Sequence, residues 1–124
     1  MRKKVVIVDD ENDIREILRN ALELTKDWIV LEAANGEAGL ELVRQEMPDV
    51  VLLDVMMPRM DGREVFRVLR QDVKTSEIPV IFITASLQKQ DVRALEAMGP
   101  LAVLAKPFDP LEIADKISEL LGWK

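Results

Sequence analysis

The sequence predicts an α/β domain in which an open parallel sheet carries helices on both faces. Three observations predict it. Apolar runs without alternation, such as Val50-Val51-Leu52-Leu53, read as strands buried on both faces, the kind found inside parallel sheets. Each run is followed by apolar residues at helical spacing, so strand and helix alternate five times. The runs also end in polar residues: Asp9-Asp10, Asp54, Thr84 and Lys106.

In chain order, Lys4 to Val8 is a β-branched run ending on the acid pair Asp9-Asp10. Glu11 to Leu24 places Ile14, Ile17, Leu18, Ala21 and Leu22 on one face of a helix, with acids in its first turn as the helix dipole prefers. Trp28 to Ala33 is a weaker strand, expected nearer an edge. Asn35-Gly36 punctuates it, Glu37 to Glu46 is helical with Ala38, Leu42 and Val43 apolar, and Pro48 stops that helix. Val50 to Asp54 is the third strand. A buried, unpaired carboxylate is costly, so an acid ending such a run needs a reason. Pro58 and Asp61-Gly62 mark a turn after it. Arg63 to Val73 is the third helix, carrying Val65, Phe66, Val68 and Leu69. A loop through Ser76 and Pro79 leads to the strand Val80 to Thr84. Leu87 to Met98 is the fourth helix, closed by Gly99-Pro100. Leu101 to Ala105 is a short fifth strand ending at Lys106-Pro107. Asp109 caps and Pro110 opens the last helix, with Ile113, Ile117, Leu120 and Leu121 inward and Gly122 at its end.

Right-handed crossovers and five strands leave a flavodoxin-like (βα)5 arrangement, with the sheet in the order 2-1-3-4-5. Ligands of such sheets sit outside the carboxyl ends of the strands, at the switch point between strands 1 and 3. Asp9, Asp10, Asp54, Thr84 and Lys106 therefore converge on one edge, and that convergence weighs more than any one of them.

At 124 residues the chain is expected to be one domain, residues 1–124, with enough core to fold. It has no cysteine and no histidine, which excludes disulfides, thiolate and imidazole metal sites and a histidine base. A formal net charge of −6 argues against nucleic acid and anionic membrane as direct partners. No apolar run has the length of a membrane span and no secretory signal is visible, so a cytoplasmic protein is expected.

Three carboxylates brought together repel one another, and a hard divalent cation resolves the repulsion. Mg2+ held by Asp9, Asp10 and Asp54, with a lysine and a hydroxyl beside it, would make a phosphoryl site. A carboxylate can itself be the nucleophile and form an acyl phosphate, which makes Asp54 the candidate phosphoacceptor. Each residue also has a plainer reading. Asp9 and Asp10 can be helix-capping acids. Thr84 can be a strand-former, and Lys106 a solvated lysine before a turn proline. Met56, Met57 and Met60 can be loop packing, and Asp61-Gly62 a turn without chemistry.

Val8-Asp9-Asp10-Glu11-Asn12, Leu53-Asp54-Val55-Met56-Met57-Pro58, Met60-Asp61-Gly62, Pro79 to Ala85 with Thr84, and Lys106-Pro107-Phe108 together resemble the response-regulator receiver domain of two-component signalling. The resemblance covers essentially the whole chain. It implies an aspartyl phosphate on Asp54, taken from a histidine kinase or a histidine phosphotransfer protein. It implies Mg2+ ligated by Asp10, Asp54 and the backbone carbonyl of Met56, with Asp9 acting through water. It also implies phosphoryl contacts from Thr84 and Lys106 and a cis Lys106-Pro107 bond. The protein itself would be a phosphoacceptor rather than an enzyme acting on a separate substrate. A downstream effector would bind the face of helix 4, strand 5 and helix 5, and the chain would be a monomer or weak homodimer.

Two departures from the family pattern stand out. The strand-5 position three residues before the lysine, commonly Tyr or Phe, is Val103. A rotating ring cannot report the switch, and signalling is expected to rest on the Thr84-Ala85 loop and helix 4, or to be weaker. The variable positions beside the site are Met56 and Ser86, which offer neither a carboxamide nor an acid to orient water, so slow self-dephosphorylation is expected.

Competing functions are weaker. A phosphohydrolase with an aspartyl nucleophile needs a second acid shortly after it, and Asp54 is followed by Val55 and Met56. A flavin-phosphate binder needs a Ser/Thr/Gly-rich loop after strand 1, where Asp9-Asp10-Glu11 would repel the phosphate. A pseudo-receiver that scaffolds partners without phosphorylation is opposed by the complete set of five site residues.

Overall fold

A computed structural model describes residues 2–86 and 88–123. Five strands, β1 (Lys4–Val8), β2 (Ile29–Ala33), β3 (Val50–Asp54), β4 (Val80–Thr84) and β5 (Ala102–Ala105), alternate with five helices. These are α1 (Asn12–Thr25), α2 (Gly36–Glu46), α3 (Gly62–Gln71), α4 (Lys89–Ala97) and α5 (Ile113–Leu121). All strand pairs are parallel and the sheet order is β2-β1-β3-β4-β5, as expected.

The unbroken apolar runs are explained by burial on both faces. Val6, Val8, Val51, Leu53, Val80 and Phe82 pack with α2, α3 and α4. Val5, Ile7, Val50, Leu52, Ile81 and Ile83 pack with α1 and α5. Every residue of β3 and β4 is buried. The edge strand β2 is only partly covered, in line with its weaker pattern. Trp28 and Trp123 meet edge to face, 5.2 Å between ring centroids, beside the N-terminal ends of the strands and away from the polar edge.

The helix ends correct several expectations. On α1, Leu18, Ala21 and Leu22 are buried, but Ile17 is 45% exposed, because the stripe facing the sheet is narrower than the apolar spacing suggested. On α2 the buried residues are Gly36, Gly39, Leu40 and Val43, while Ala38 faces solvent. Asn35 caps that helix through Ala38 N, and the close approach of Gly36 to Met60 and Val65 and of Gly39 to Val8 sets which face turns inward. Helix α3 stops at Gln71, and Val73 lies beyond it, exposed in the following turn. The predicted start of the fourth helix, Leu87, lies outside the described residues, and α4 runs from Lys89. Gly99, at φ +94°, follows it in the left-handed region that glycine enters without steric cost. Asp109 does cap, but it accepts Leu111 N (2.8 Å) in a separate turn, so α5 begins three residues beyond Pro110, at Ile113. Leu101 lies outside β5 and is exposed.

Candidate phosphoryl and metal site at the carboxyl edge

The five predicted residues stand at the carboxyl ends of β1, β3, β4 and β5, and parallel register brings them to one edge. Val8 pairs with Leu53, Asp54 with Ile83 and Thr84 with Ala105, so the residue ending each strand lies beside the next. Backbone bonds carry the ladder past the strand ends: Asp9 N donates to Ala33 O, Val55 N to Ile83 O and Lys106 N to Thr84 O, at 2.8–3.2 Å.

Lys106 is the hub. Its Nζ lies 2.7 Å from Asp9 Oδ2, 3.2 Å from Asp54 Oδ1 and 3.5 Å from Glu11 Oε1. The lysine side chain is 9% exposed, and Asp9 and Asp54 less still. Asp9 Oδ1 accepts from Glu11 N at 2.8 Å, which fixes that carboxylate at both oxygens. Asp54 differs. Its Oδ2 is buried and has no hydrogen-bond partner. An unpaired buried carboxylate oxygen is expensive, and native proteins rarely keep one without use.

The electrostatics follow. Burial, and then the neighbouring charge of Asp9, push the Asp54 carboxyl up to about 7 against the pull of Lys106. Burial alone would lower the Lys106 ammonium, but its bond to Asp9 and the charge of Asp54 outweigh it, and its pKa is raised.

Ligand oxygens of Asp9, Asp10 and Asp54 lie within 4.8 Å of one another, and Asp10 faces solvent. Two features suit a hard cation taking oxygen ligands: the orphaned Asp54 Oδ2 and an all-carboxylate donor set with a single lysine to neutralise it. Mg2+ would find its ligands in Asp10, Asp54 and the loop at Met56, a residue that is 67% exposed.

Thr84 is buried, and its Oγ1 accepts from Ser86 N at 3.1 Å. Ser86 Oγ in turn donates to Asp91 Oδ2, 2.7 Å away, in the first turn of α4. The strand end is thus tied to α4 by two successive hydrogen bonds. Val103 packs, partly buried, against the core under α2–α4. The Lys106–Pro107 peptide is cis, as the resemblance implied.

Two residues here were not assigned a role from the sequence. Gly62 was read as part of a turn without chemistry. A Cβ there would stand 2.3 Å from the backbone oxygen of Asp54, so only glycine lets α3 start this close to the strand end. Asp61 caps the same helix, accepting from Arg63 N and Glu64 N. The other is Arg15, whose guanidinium reaches the backbone of Asp9. Asp-Gly before an amphipathic run is a visible start signal for a helix, whereas nothing in the sequence distinguishes Arg15 from a solvated cation.

The response regulator receiver domain profile matches residues 5–118. The "Sporulation initiation phosphotransferase F" of Bacillus subtilis (strain 168) is 39% identical over 124 residues, covering 100% of this chain and 98% of that protein. The "Probable transcriptional regulator ycf27" of Guillardia theta is 42% identical over 97% of this chain but only 46% of its own length. The chain thus spans about half the length of the transcriptional regulators it matches. Among solved structures, a putative response regulator from Chloroflexus aurantiacus J-10-fl superposes with a TM-score of 0.90 at 30% identity, covering 98% of this chain and 99% of that one. Chemotaxis response regulator CheY4 of Vibrio cholerae gives 0.88 at 27% identity, covering 97% and 99%.

Proposed function

This chain belongs to the response regulator receiver domain family of two-component systems, and from that premise we propose that Asp54 is its phosphoacceptor. The donor is a histidine kinase or a histidine phosphotransfer protein. The observation that carries this reading is the buried Asp54 oxygen left without a partner beside a buried lysine. An oxygen with a free lone pair at the mouth of the sheet edge is what a carboxylate nucleophile needs.

In the proposed reaction an Asp54 oxygen forms a bond to phosphorus as the bond from phosphorus to the donor imidazole nitrogen breaks, and the electron pair leaves with that nitrogen. Lys106 then shares its ammonium between Asp9 and a phosphoryl oxygen. The Thr84 hydroxyl donates to a second phosphoryl oxygen. Mg2+ held by Asp10, Asp54 and the Met56 carbonyl, with Asp9 acting through water, would supply positive charge against the clustered carboxylates and the incoming phosphoryl group. In rotating toward phosphate, Thr84 gives up its bond to Ser86 N, and the change passes through Ser86 and Asp91 to α4. The partner surface that responds is the α4–β5–α5 face, where an effector protein binds. Residues 1–124 act as one receiver unit, in the cytoplasm, as a monomer or weak homodimer. Among the described residues no helix is long and apolar enough to cross a membrane.

The test is intact-mass spectrometry after incubation with acetyl phosphate, with and without Mg2+, beside Asp54→Asn. One Mg2+-dependent phosphoryl adduct, lost in the variant, is the expected result. No adduct from acetyl phosphate or from a phosphorylated kinase would leave a scaffold that binds partners without phosphorylation.

A further inference from the structure

We propose that Arg15 is a positioning residue that holds Asp10 in the orientation needed for cation binding. The proposal rests on the Mg2+ reading above and extends it to a residue outside the acidic cluster.

Asp10 has the least support of the three clustered acids. It is exposed, and its carboxylate makes no hydrogen bond or ion pair among the described residues. With no side-chain partner to steer it, the backbone from which it projects is the part of its placement that the fold can fix. The peptide unit joining Asp9 to Asp10 carries the Asp9 carbonyl, and Arg15 Nη1 donates to that oxygen at 2.6 Å. On the other side of Asp9, its N–H donates to Ala33 O of β2 at 3.2 Å. The peptide planes flanking Asp9 are therefore both pinned, one by the sheet and one by Arg15.

Arg15 is itself held. Its side chain is only 13% exposed, and Nε lies 3.2 Å from Glu32 Oε1 on β2. Nη2 donates to the Asn12 side chain in the first turn of α1. Arg19 Nη1 takes the other oxygen of Glu32 at 2.5 Å and pairs through Nε with Glu23. One guanidinium thus joins β2, the first turn of α1 and the loop that carries the acids. A planar fork spreads its donors over three nitrogens in fixed directions, so it reaches acceptors on three separate elements that a single ammonium nitrogen in its place would not span.

The sign of the effect separates positioning from charge. A guanidinium this close to the acidic cluster opposes cation binding by its charge, so its removal should tighten Mg2+ binding on Coulomb grounds alone. Loss of positioning should weaken it. Groups that orient metal ligands typically carry about 10–100-fold in affinity.

The experiment is isothermal titration calorimetry of the full chain with MgCl2, for the wild type, Arg15→Met, Arg15→Lys and Asp10→Asn. Arg15→Met is expected to weaken Mg2+ binding about tenfold, and Arg15→Lys, which keeps the charge but loses the fork, about threefold. The Mg2+ concentration for half-maximal phosphorylation by acetyl phosphate should rise in parallel with the saturating rate unchanged. A general loss of folded protein would instead lower the plateau. Arg15→Met binding Mg2+ as tightly as the wild type, or more tightly, overturns the proposal. Should Arg15→Met fail to fold by circular dichroism, unchanged affinity in Arg15→Lys overturns it equally. If Asp10→Asn leaves Mg2+ uptake unaltered, the ligand assignment itself fails and takes the proposal with it. If Asp10→Asn weakens uptake while neither Arg15 variant does, the proposal alone fails.

Discussion

Replacing Asp54, the proposed phosphoacceptor, should make the protein more stable, and more so at alkaline than at acid pH. Asp54 is 3% exposed, with one oxygen unpartnered, and its carboxyl is pushed from 3.8 to about 7 by burial and then by Asp9. In the unfolded chain it loses its proton near the ordinary value; in the folded chain it keeps it to near neutrality. Between those two values the folded state binds the extra proton, so this group's contribution to stability falls as pH rises through that window and is flat above it. A rise of about three units corresponds to a cost of about 4 kcal/mol at pH 8, an upper bound given the coupling to Asp9 and Lys106. Asp54→Asn removes the charge and keeps the shape. It does not strand Lys106, which retains Asp9 at 2.7 Å. The expected gain is about 2–4 kcal/mol at pH 8, or roughly 5–15 °C in melting temperature. At pH 5, where folded Asp54 already carries a proton but the unfolded carboxyl is still mostly ionised, the gain should shrink to about 1–1.5 kcal/mol. Thermal melts followed by far-ultraviolet circular dichroism in Mg2+-free buffer at both pH values measure this. An Asn variant no more stable than the wild type at pH 8, or equally stabilised at both pH values, would refute the assignment of burial as the cause.

Lys106→Met leaves Asp9 and Asp54 facing each other without a buried cation and should cost about 3 kcal/mol at pH 8 in urea titrations, with less lost at pH 5, where Asp54 is neutral. Gly62→Ala places a Cβ 2.3 Å from the Asp54 oxygen, so β3 and α3 must separate. About 3 kcal/mol of destabilisation is expected in the same titration, together with slower phosphoryl uptake. Met56→Asn puts a carboxamide on the exposed loop beside the site, and the phosphoryl half-life, followed by intact mass, should shorten several-fold. Ser86→Ala cuts the bond to Asp91 without touching the phosphoryl ligands. Phosphorylation should proceed at the wild-type rate while amide exchange in the first turn of α4 speeds up in the unphosphorylated protein.

The strands and the helix ends show which features of this fold a sequence can display. β3 and β4 were found to the residue because strands buried on both faces leave no alternative to an unbroken apolar run, and Pro48 and Pro79 stand just before them. The sheet order followed from counting strands and from handedness. The helices were less legible where their ends depend on side-chain bonds to backbone. Asn35 caps α2 so that it begins one residue earlier, and Asp109 closes a turn of its own before α5. Ile17 misled because apolar spacing reports a helix face without reporting how wide a stripe the sheet covers.

The site divides in the same way. Asp9, Asp10, Asp54, Thr84 and Lys106 were visible because each ends an apolar run, and a polar residue in that place has few cheap explanations. Gly62 and Arg15 were not, and both act on backbone atoms, the Asp54 carbonyl and the Asp9 carbonyl. Every residue in a chain carries a carbonyl, so a contact to one leaves no trace in residue identity or spacing. Side chains that do the chemistry can therefore be read from the strand ends, while those that hold the backbone beneath them emerge only from coordinates. Arg15 is the clearer case: six residues after Asp9 on a helix, it reads in the sequence as one more surface cation, yet its guanidinium holds the Asp9 carbonyl in the peptide from which the least supported acid projects.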